Sequence, residues 1–224
     1  MSVLIAAGGN VCFEAASAYL AARRFDHVIA VDAGVLAAEK LGLKVDYLVG
    51  DFDTLGDQAL RKWENIPGIT VKKYSPEKDD TDMEIAVKLA LELEKGRAAF
   101  RFFPEQVLLL GATGTRLDHT LANIFMLEQF EAAGVSACIL DANNRISAHH
   151  AGFSFERGEK FGKYISFAAL TPAVCGLTLK GFSYPLDRYT LLQKSSRCVS
   201  NEAEEEELLV EFSDGTLLMV ESRD

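Results

Sequence analysis

The sequence predicts an α/β domain followed by a small all-β domain. Up to about residue 140, apolar runs of strand length alternate with helix-patterned segments. From about residue 145 the segments turn short and mostly alternating, punctuated by Gly and Pro, and no useful helical period appears. A β-then-α rhythm implies a mostly parallel sheet with helices on both faces, and short alternating strands imply an antiparallel sandwich. The expected domains are 1–143, a Rossmann-like α/β unit, and 144–224, a β-sandwich.

Strands are expected over 3–7, 28–32, 47–50, 69–73, 107–111 and 137–140, with helices over 14–24, 35–41, 56–64, 81–95 and 117–133. The helix from Thr81 has the clearest pattern. Ile85, Leu89 and Leu93 recur every fourth residue, flanked by Ala86 and Ala90, which makes one apolar stripe. Thr81 and Glu84 have capping-box spacing, and Gly96 is a stop signal. In the second half, strands are expected over 146–150, 154–156, 164–170, 177–182, 190–192, 208–212 and 216–220. Ser213-Asp214-Gly215 reads as the turn of a hairpin joining the last two. The acidic run Glu204 to Glu207 suits a solvated turn or a guarded edge.

Composition narrows the function classes. Of 224 residues, 49% are hydrophobic and 25% charged, the balance of a globular protein. A net charge of -10 offers no general attraction to nucleic acid or to an anionic membrane, so neither is an expected partner. A phosphorylated ligand would need its charge offset by a carboxylate-held cation or by well-placed Arg and Lys. Cys12, Cys138, Cys175 and Cys198 form no C-x-x-C pair, so reduced thiols and a cytoplasmic setting are expected. The first residues read as a buried strand, since they lack a basic leader, and no run of about 18 apolar residues predicts a membrane helix.

Four constellations fall at predicted strand ends, where open α/β sheets bind ligands. Asp51 and Asp53, in Gly50-Asp51-Phe52-Asp53-Thr54, suit a shared hard cation such as Mg²⁺. Lys78-Asp79-Asp80-Thr81-Asp82 crowds three acids at a helix start; a cation would relieve their repulsion, and Lys78 would meet a phosphate. The turn Gly111-Ala112-Thr113-Gly114-Thr115-Arg116-Leu117-Asp118-His119 offers close backbone approach, a helix N-terminus and a guanidinium fork. It is not a P-loop, because no Lys-Ser/Thr follows its second Gly. Asp32-Ala33-Gly34 ends the second strand, where Asp32 would bond a ribose, line the site or cap a helix. Each motif alone also fits ordinary capping. Together they supply what phosphoryl transfer needs: metal-holding carboxylates, cationic forks and backbone donors.

These motifs, in this order, resemble the thiamine pyrophosphokinases, bacterial ones in particular. Gly181-Phe182-Ser183-Tyr184-Pro185-Leu186 and Ser196-Arg197-Cys198-Val199-Ser200-Asn201-Glu202 extend the resemblance through the second half. It implies a homodimer with the thiamine site at its interface. It also implies Mg²⁺-dependent transfer of pyrophosphate from ATP to thiamine, giving thiamine diphosphate and AMP. By position, Asp51, Asp53 and Asp82 would hold Mg²⁺ and, with Arg116 and Asp118, make up the catalytic set. Asp32, Lys78, Asp79, Thr81, Thr113, Gly114, Arg116 and His119 would surround the ATP. Asp82, Asp118, Ser200 and Asn201 would meet thiamine. Cys198 departs from the glycine common in the family. Two alternatives compete: a haloacid-dehalogenase-like phosphatase using Asp51 in Asp51-Phe52-Asp53-Thr54, and a noncatalytic nucleotide- or thiamine-sensing module.

Overall fold

The computed structural model describes residues 2–53, 55–95 and 105–224. Thr54 of the acidic motif and the stop signal Gly96 lie outside the described residues. The chain forms two compact units. One holds the described residues up to 95 with 106–126 and 139–142; the other holds 105, 127–138 and 143–224.

The first unit is built from β1 (Val3–Ala6), α1 (Phe13–Leu20), β2 (His27–Val31), α2 (Gly34–Lys40), β3 (Tyr47–Gly50), α3 (Asp57–Glu64), β4 (Thr70–Lys73), α4 (Asp82–Glu94) and β5 (Val107–Leu110). To these it adds the start of α5 (Leu117–Ala132) and the end of β6 (Ala137–Leu140). Strands β5-β1-β2-β3-β4 run parallel in that order. Central β1 is Val-Leu-Ile-Ala and wholly buried, as a strand covered on both faces must be. Each of its large side chains contributes about 1.5–3 kcal/mol by leaving water. Edge strand β4, Thr-Val-Lys-Lys, is part-exposed, and its lysines discourage further strand pairing.

Helix α4 starts where its cap predicts, with Thr81 Oγ1 accepting the Glu84 N–H at 3.2 Å. Its buried stripe centres on Met83, Ala86, Val87, Leu89 and Ala90, and Ile85 and Leu93 sit at the half-buried margin. The small alanines let the helix approach the sheet closely, which favours them over the larger side chains at the centre of the contact.

The second unit contains β7 (Asn144–His149), β8 (Phe153–Glu156), β9 (Tyr164–Ala169), β10 (Ala173–Lys180), β11 (Leu186–Leu192), β12 (Asn201–Glu202), β13 (Glu207–Glu211) and β14 (Leu217–Ser222). Its two antiparallel layers have the orders β12-β9-β14-β7 and β11-β10-β13-β8. Phe155, Phe167, Phe182, Val174, Leu177, Leu208, Val210, Leu217 and Met219 fill the core of this unit. Phe182 meets Phe155 and Phe167 edge-on, at centroid distances of 6.5 and 5.6 Å.

The hairpin expected at Ser213-Asp214-Gly215 does not form. β13 pairs with β10 and β8, whereas β14 pairs with β7 and β9. The turn residues are the right ones, but they carry the chain from one layer to the other. Leu208 and Val210 before the turn and Leu217 and Met219 after it then share a single core, which pairing side by side in one sheet would not give. β10 begins at Ala173, earlier than expected, because its register shifts on either side of Leu177 interrupt the alternation. Among the described residues, no helix is long and apolar enough to cross a membrane.

Candidate active site

The carboxyl ends of β1, β2, β3 and β5 supply the site. Beyond β1 and β5 the two loops are tied backbone to backbone: Gly9 N–H donates to Gly111 O at 2.9 Å and Asn10 N–H to Thr113 O at 2.8 Å. A Cβ on Gly9 would lie 2.3 Å from both Gly111 O and Thr113 O, so only glycine permits this approach. Thr113 Oγ1 donates to Asp141 at 3.0 Å, and Asn123 Nδ2 to Ala112 O at 2.6 Å. The result is a crevice of about 500 Å³, lined among others by Gly8, Gly9, Asp32, Thr81, Asp82, Thr113, Gly114, Arg116 and His119.

The acidic centre adjoins it. One carboxylate oxygen from each of Asp32, Asp51 and Asp82 lies within 4.8 Å of the others. Asp32 comes from the end of β2, Asp51 follows β3 and Asp82 opens α4. The backbone is bent to bring them together: Asp32 has φ 46° and Phe52 has φ 63°, left-handed values that side chains other than glycine adopt at a cost of about 1–3 kcal/mol. Phe52 N–H donates to Asp32 Oδ1 at 3.1 Å, which fixes the carboxylate. A Cβ on Gly50 would lie 2.0 Å from that same oxygen. Burial, then the Asp82 charge, push the Asp32 pKa up to about 6; the Phe52 N–H opposes the shift, and Asp51 and Asp53 add to it.

Lys78 sits among these acids. Its Nζ is 2.9 Å from Asp82 Oδ1 and 3.6 Å from Asp51 Oδ2. Burial lowers the Lys78 pKa, but the paired Asp82 and then Asp51 outweigh it, so the net shift is upward. An octahedral Mg²⁺ with bonds of about 2.1 Å puts ligand oxygens about 3–4 Å apart. Three hard oxygen donors within 4.8 Å of one another are the kind of donor set such an ion takes, and an ammonium already marks a position that attracts positive charge.

Other predicted residues take different positions. Asp53 is exposed and lies outside the close trio; its backbone N–H donates to Asp51 Oδ1 at 3.2 Å, so it shapes the loop. Asp79 is exposed, and the neighbouring Asp80 pairs with Lys88 at 2.6 Å. Arg116 and Asp118, both largely exposed, form a two-pronged pair at 2.6 and 3.2 Å. The Arg116 guanidinium holds the Asp118 pKa down to about 2.

In the second unit a hollow of about 390 Å³ is lined by Ser183, Tyr184, Pro185, Leu186, Arg197, Cys198, Val199 and Asn201. The buried Asn201 amide is committed to the Tyr184 backbone, accepting from its N–H and donating to its O, both at 2.9 Å. Ser200, at φ 60°, is exposed and donates its N–H to Ser166 Oγ at 2.9 Å. Cys198 is buried, and burial raises its thiol pKa. Gly8, Gly9 and Tyr184 were not singled out from sequence, although a Gly pair directly after an apolar strand is a legible signal.

Fold and crevice together define a class: two-unit proteins in which an α/β unit with a carboxylate-lined crevice at its strand ends precedes a β-sandwich. Comparison with known proteins narrows it. The thiamin pyrophosphokinase catalytic-domain model matches residues 20–139, and the thiamin pyrophosphokinase vitamin B1 binding-domain model matches 152–217. The chain belongs to the thiamin pyrophosphokinase family. It is 32% identical over 198 residues to thiamine pyrophosphokinase of Bacillus subtilis, covering 88% of this chain and 87% of that one. The crystal structure of the Bacillus subtilis thiamine pyrophosphokinase superposes with TM-score 0.84 at 28% identity, covering 100% of both chains. That of the Geobacillus thermodenitrificans protein gives 0.81 at 28%, covering 100% of this chain and 98% of that one. The phosphatase alternative falls with this membership.

Proposed function

We propose that this chain transfers a pyrophosphoryl group from ATP to the hydroxyl of thiamine, yielding thiamine diphosphate and AMP. The observation that carries this reading is the Asp32, Asp51 and Asp82 trio beside a crevice rimmed by glycines and Arg116. Residues 1–143 are the catalytic part and 144–224 the thiamine-binding part, in line with the two matched domain models over 20–139 and 152–217.

In the reaction, the thiamine oxygen bonds to the β-phosphorus, and the bond between that phosphorus and the oxygen bridging to the α-phosphorus breaks. The bonding pair leaves with AMP. Asp32, Asp51 and Asp82 would hold Mg²⁺, which when bound neutralises polyphosphate charge. Gly8, Gly9 and Gly114 leave room for the polyphosphate against the backbone. Arg116 is exposed at the start of α5, free to turn from Asp118 to a phosphate oxygen. While paired, Asp118 is a poor proton acceptor because its pKa is near 2; once Arg116 turns away it regains basicity at the site.

The second-unit hollow would take thiamine. Tyr184, 68% exposed, offers a ring for stacking that the sequence did not identify. A homodimer fits the exposed apolar residues Leu117, Leu121 and Phe125, spaced four apart on one face of α5, and Tyr184 and Val199 in the second unit. Leu121→Glu combined with Phe125→Glu should give a monomer by light scattering; an unchanged mass would reject that face. The four free cysteines suit a cytoplasmic setting.

The direct assay is incubation with ATP, Mg²⁺ and thiamine. Thiamine diphosphate and AMP should appear in equal amounts. ADP or free phosphate as the main product, or binding without turnover as a sensor would show, rejects the reading.

A further inference from the structure

Among the described residues, Lys78 is placed in close contact with two members of the trio. Its ammonium lies 2.9 Å from Asp82 and 3.6 Å from Asp51, with the three side chains only 16%, 16% and 15% exposed. A divalent ion bonded to the same two carboxylates would stand within a few ångströms of that nitrogen. Like charges so close, in a half-desolvated pocket, repel strongly. The lysine and the ion therefore compete for one place.

The surroundings allow the lysine to leave. Lys78 lies in the segment between β4 and α4, ahead of the Thr81 cap, so its departure breaks no helical hydrogen bond. Asp82, its main partner, lines the crevice that would receive a polyphosphate. A free divalent ion arriving alone would expel the ammonium with no new anion to receive it. An ion arriving with a nucleotide brings phosphate oxygens that accept the ammonium as the carboxylates release it.

We propose that Lys78 is a resident countercation which holds the Asp51 and Asp82 carboxylates until a metal–nucleotide complex displaces it onto a phosphate, so that metal and nucleotide bind cooperatively. This rests on the reading of the trio as a cation site. In this role Lys78 is a positioning and gating residue. It keeps mutually repelling acids assembled in the metal-free protein, and it suppresses binding of the ion by itself.

The test uses the full chain and Mn²⁺, followed by the loss of the free-ion paramagnetic resonance signal. Titrations are run alone and with α,β-methylene-ATP, whose carbon bridge replaces the bond that would break. Wild type should bind Mn²⁺ at least about tenfold more tightly with the analogue than without it, within the usual range of coupling between sites. Lys78→Gln should tighten Mn²⁺ binding in the absence of nucleotide by about tenfold and shrink that coupling, while Lys78→Arg, retaining the charge, should stay near wild type. Equal or weaker Mn²⁺ binding by a Lys78→Gln protein with native circular dichroism overturns the proposal, as does wild-type binding indifferent to the analogue. If Lys78→Gln fails to fold, the wild-type coupling and the Lys78→Arg titration decide it. Production of thiamine diphosphate by the wild type is measured separately, so the gating idea can fail while the reaction stands, and the reverse.

Discussion

The two units treat buried charge in opposite ways. In the second unit Arg145 and Glu221 are almost completely buried, and every contact is matched. Arg145 Nε and Nη2 meet the Glu221 oxygens at 2.5 and 2.8 Å, Nη2 also donates to Glu159 O at 2.8 Å, and Phe161 N–H donates to Glu221 at 2.9 Å. In the first unit three carboxylates gather, only two of them facing Lys78, and the backbone is strained at Asp32 and Phe52 to bring them together. Balanced charge locks β7 to β14. Unbalanced charge leaves an attraction for something the protein does not itself contain. The same residue types therefore serve stability in one unit and chemistry in the other.

Four changes would break or sharpen that contrast. The largest effect is expected from Glu221→Ala, which strands a buried guanidinium and should cost about 3–5 kcal/mol in urea unfolding. Thiamine diphosphate formation per folded molecule should survive; a stability within error of wild type would deny the structural role. Asp82→Asn should do the converse. Turnover should fall by about 100–1000-fold, comparable to losing one transition-state contact. Metal-free stability should hold or rise, because a repelling charge has gone. An active Asp82→Asn enzyme would place the cation elsewhere.

The smallest effect is a pair of pH slopes of opposite sign. Asp32 has a native pKa of about 6 against an ordinary 3.8, so between them the folded state binds more protons. Stability of the EDTA-treated protein should therefore fall as pH rises through that window, and Asp32→Asn should remove the slope. His149, buried against Phe153, has its pKa lowered from 6.5 to about 3 by burial and then by His150. Here the unfolded chain binds more protons, so stability should fall as pH drops from about 6.5 toward 3. His149→Gln should flatten that part of the curve. If either variant leaves its slope unchanged, the group does not titrate as its surroundings imply.

Much of this was legible in the sequence because it depends on local pattern. The β/α rhythm gave a parallel sheet, and Thr81 with Glu84 gave the start of α4 to the residue. The Asp51 and Asp82 motifs pointed to an acidic centre only jointly, since each alone fits helix capping but together they place several acids at neighbouring strand ends. Asp32 as the third member of the trio was not legible as such. Its side chain reaches Asp82 through a left-handed backbone turn and a long-range N–H from Phe52, neither of which sequence spacing encodes. For the same reason Asp53, adjacent in sequence, falls outside the trio. The Ser213-Asp214-Gly215 hairpin misled because turn residues specify a reversal but not which sheet receives the second strand. Two-residue β12 is too short to carry any pattern.

The most direct test of the acidic centre is anomalous diffraction from crystals grown with Mn²⁺ and α,β-methylene-ATP. A peak at bonding distance from carboxylate oxygens of Asp51 and Asp82, next to the analogue's phosphates, is the predicted result. Density for the analogue with the manganese peak elsewhere, and Lys78 still seated between Asp51 and Asp82, would contradict it.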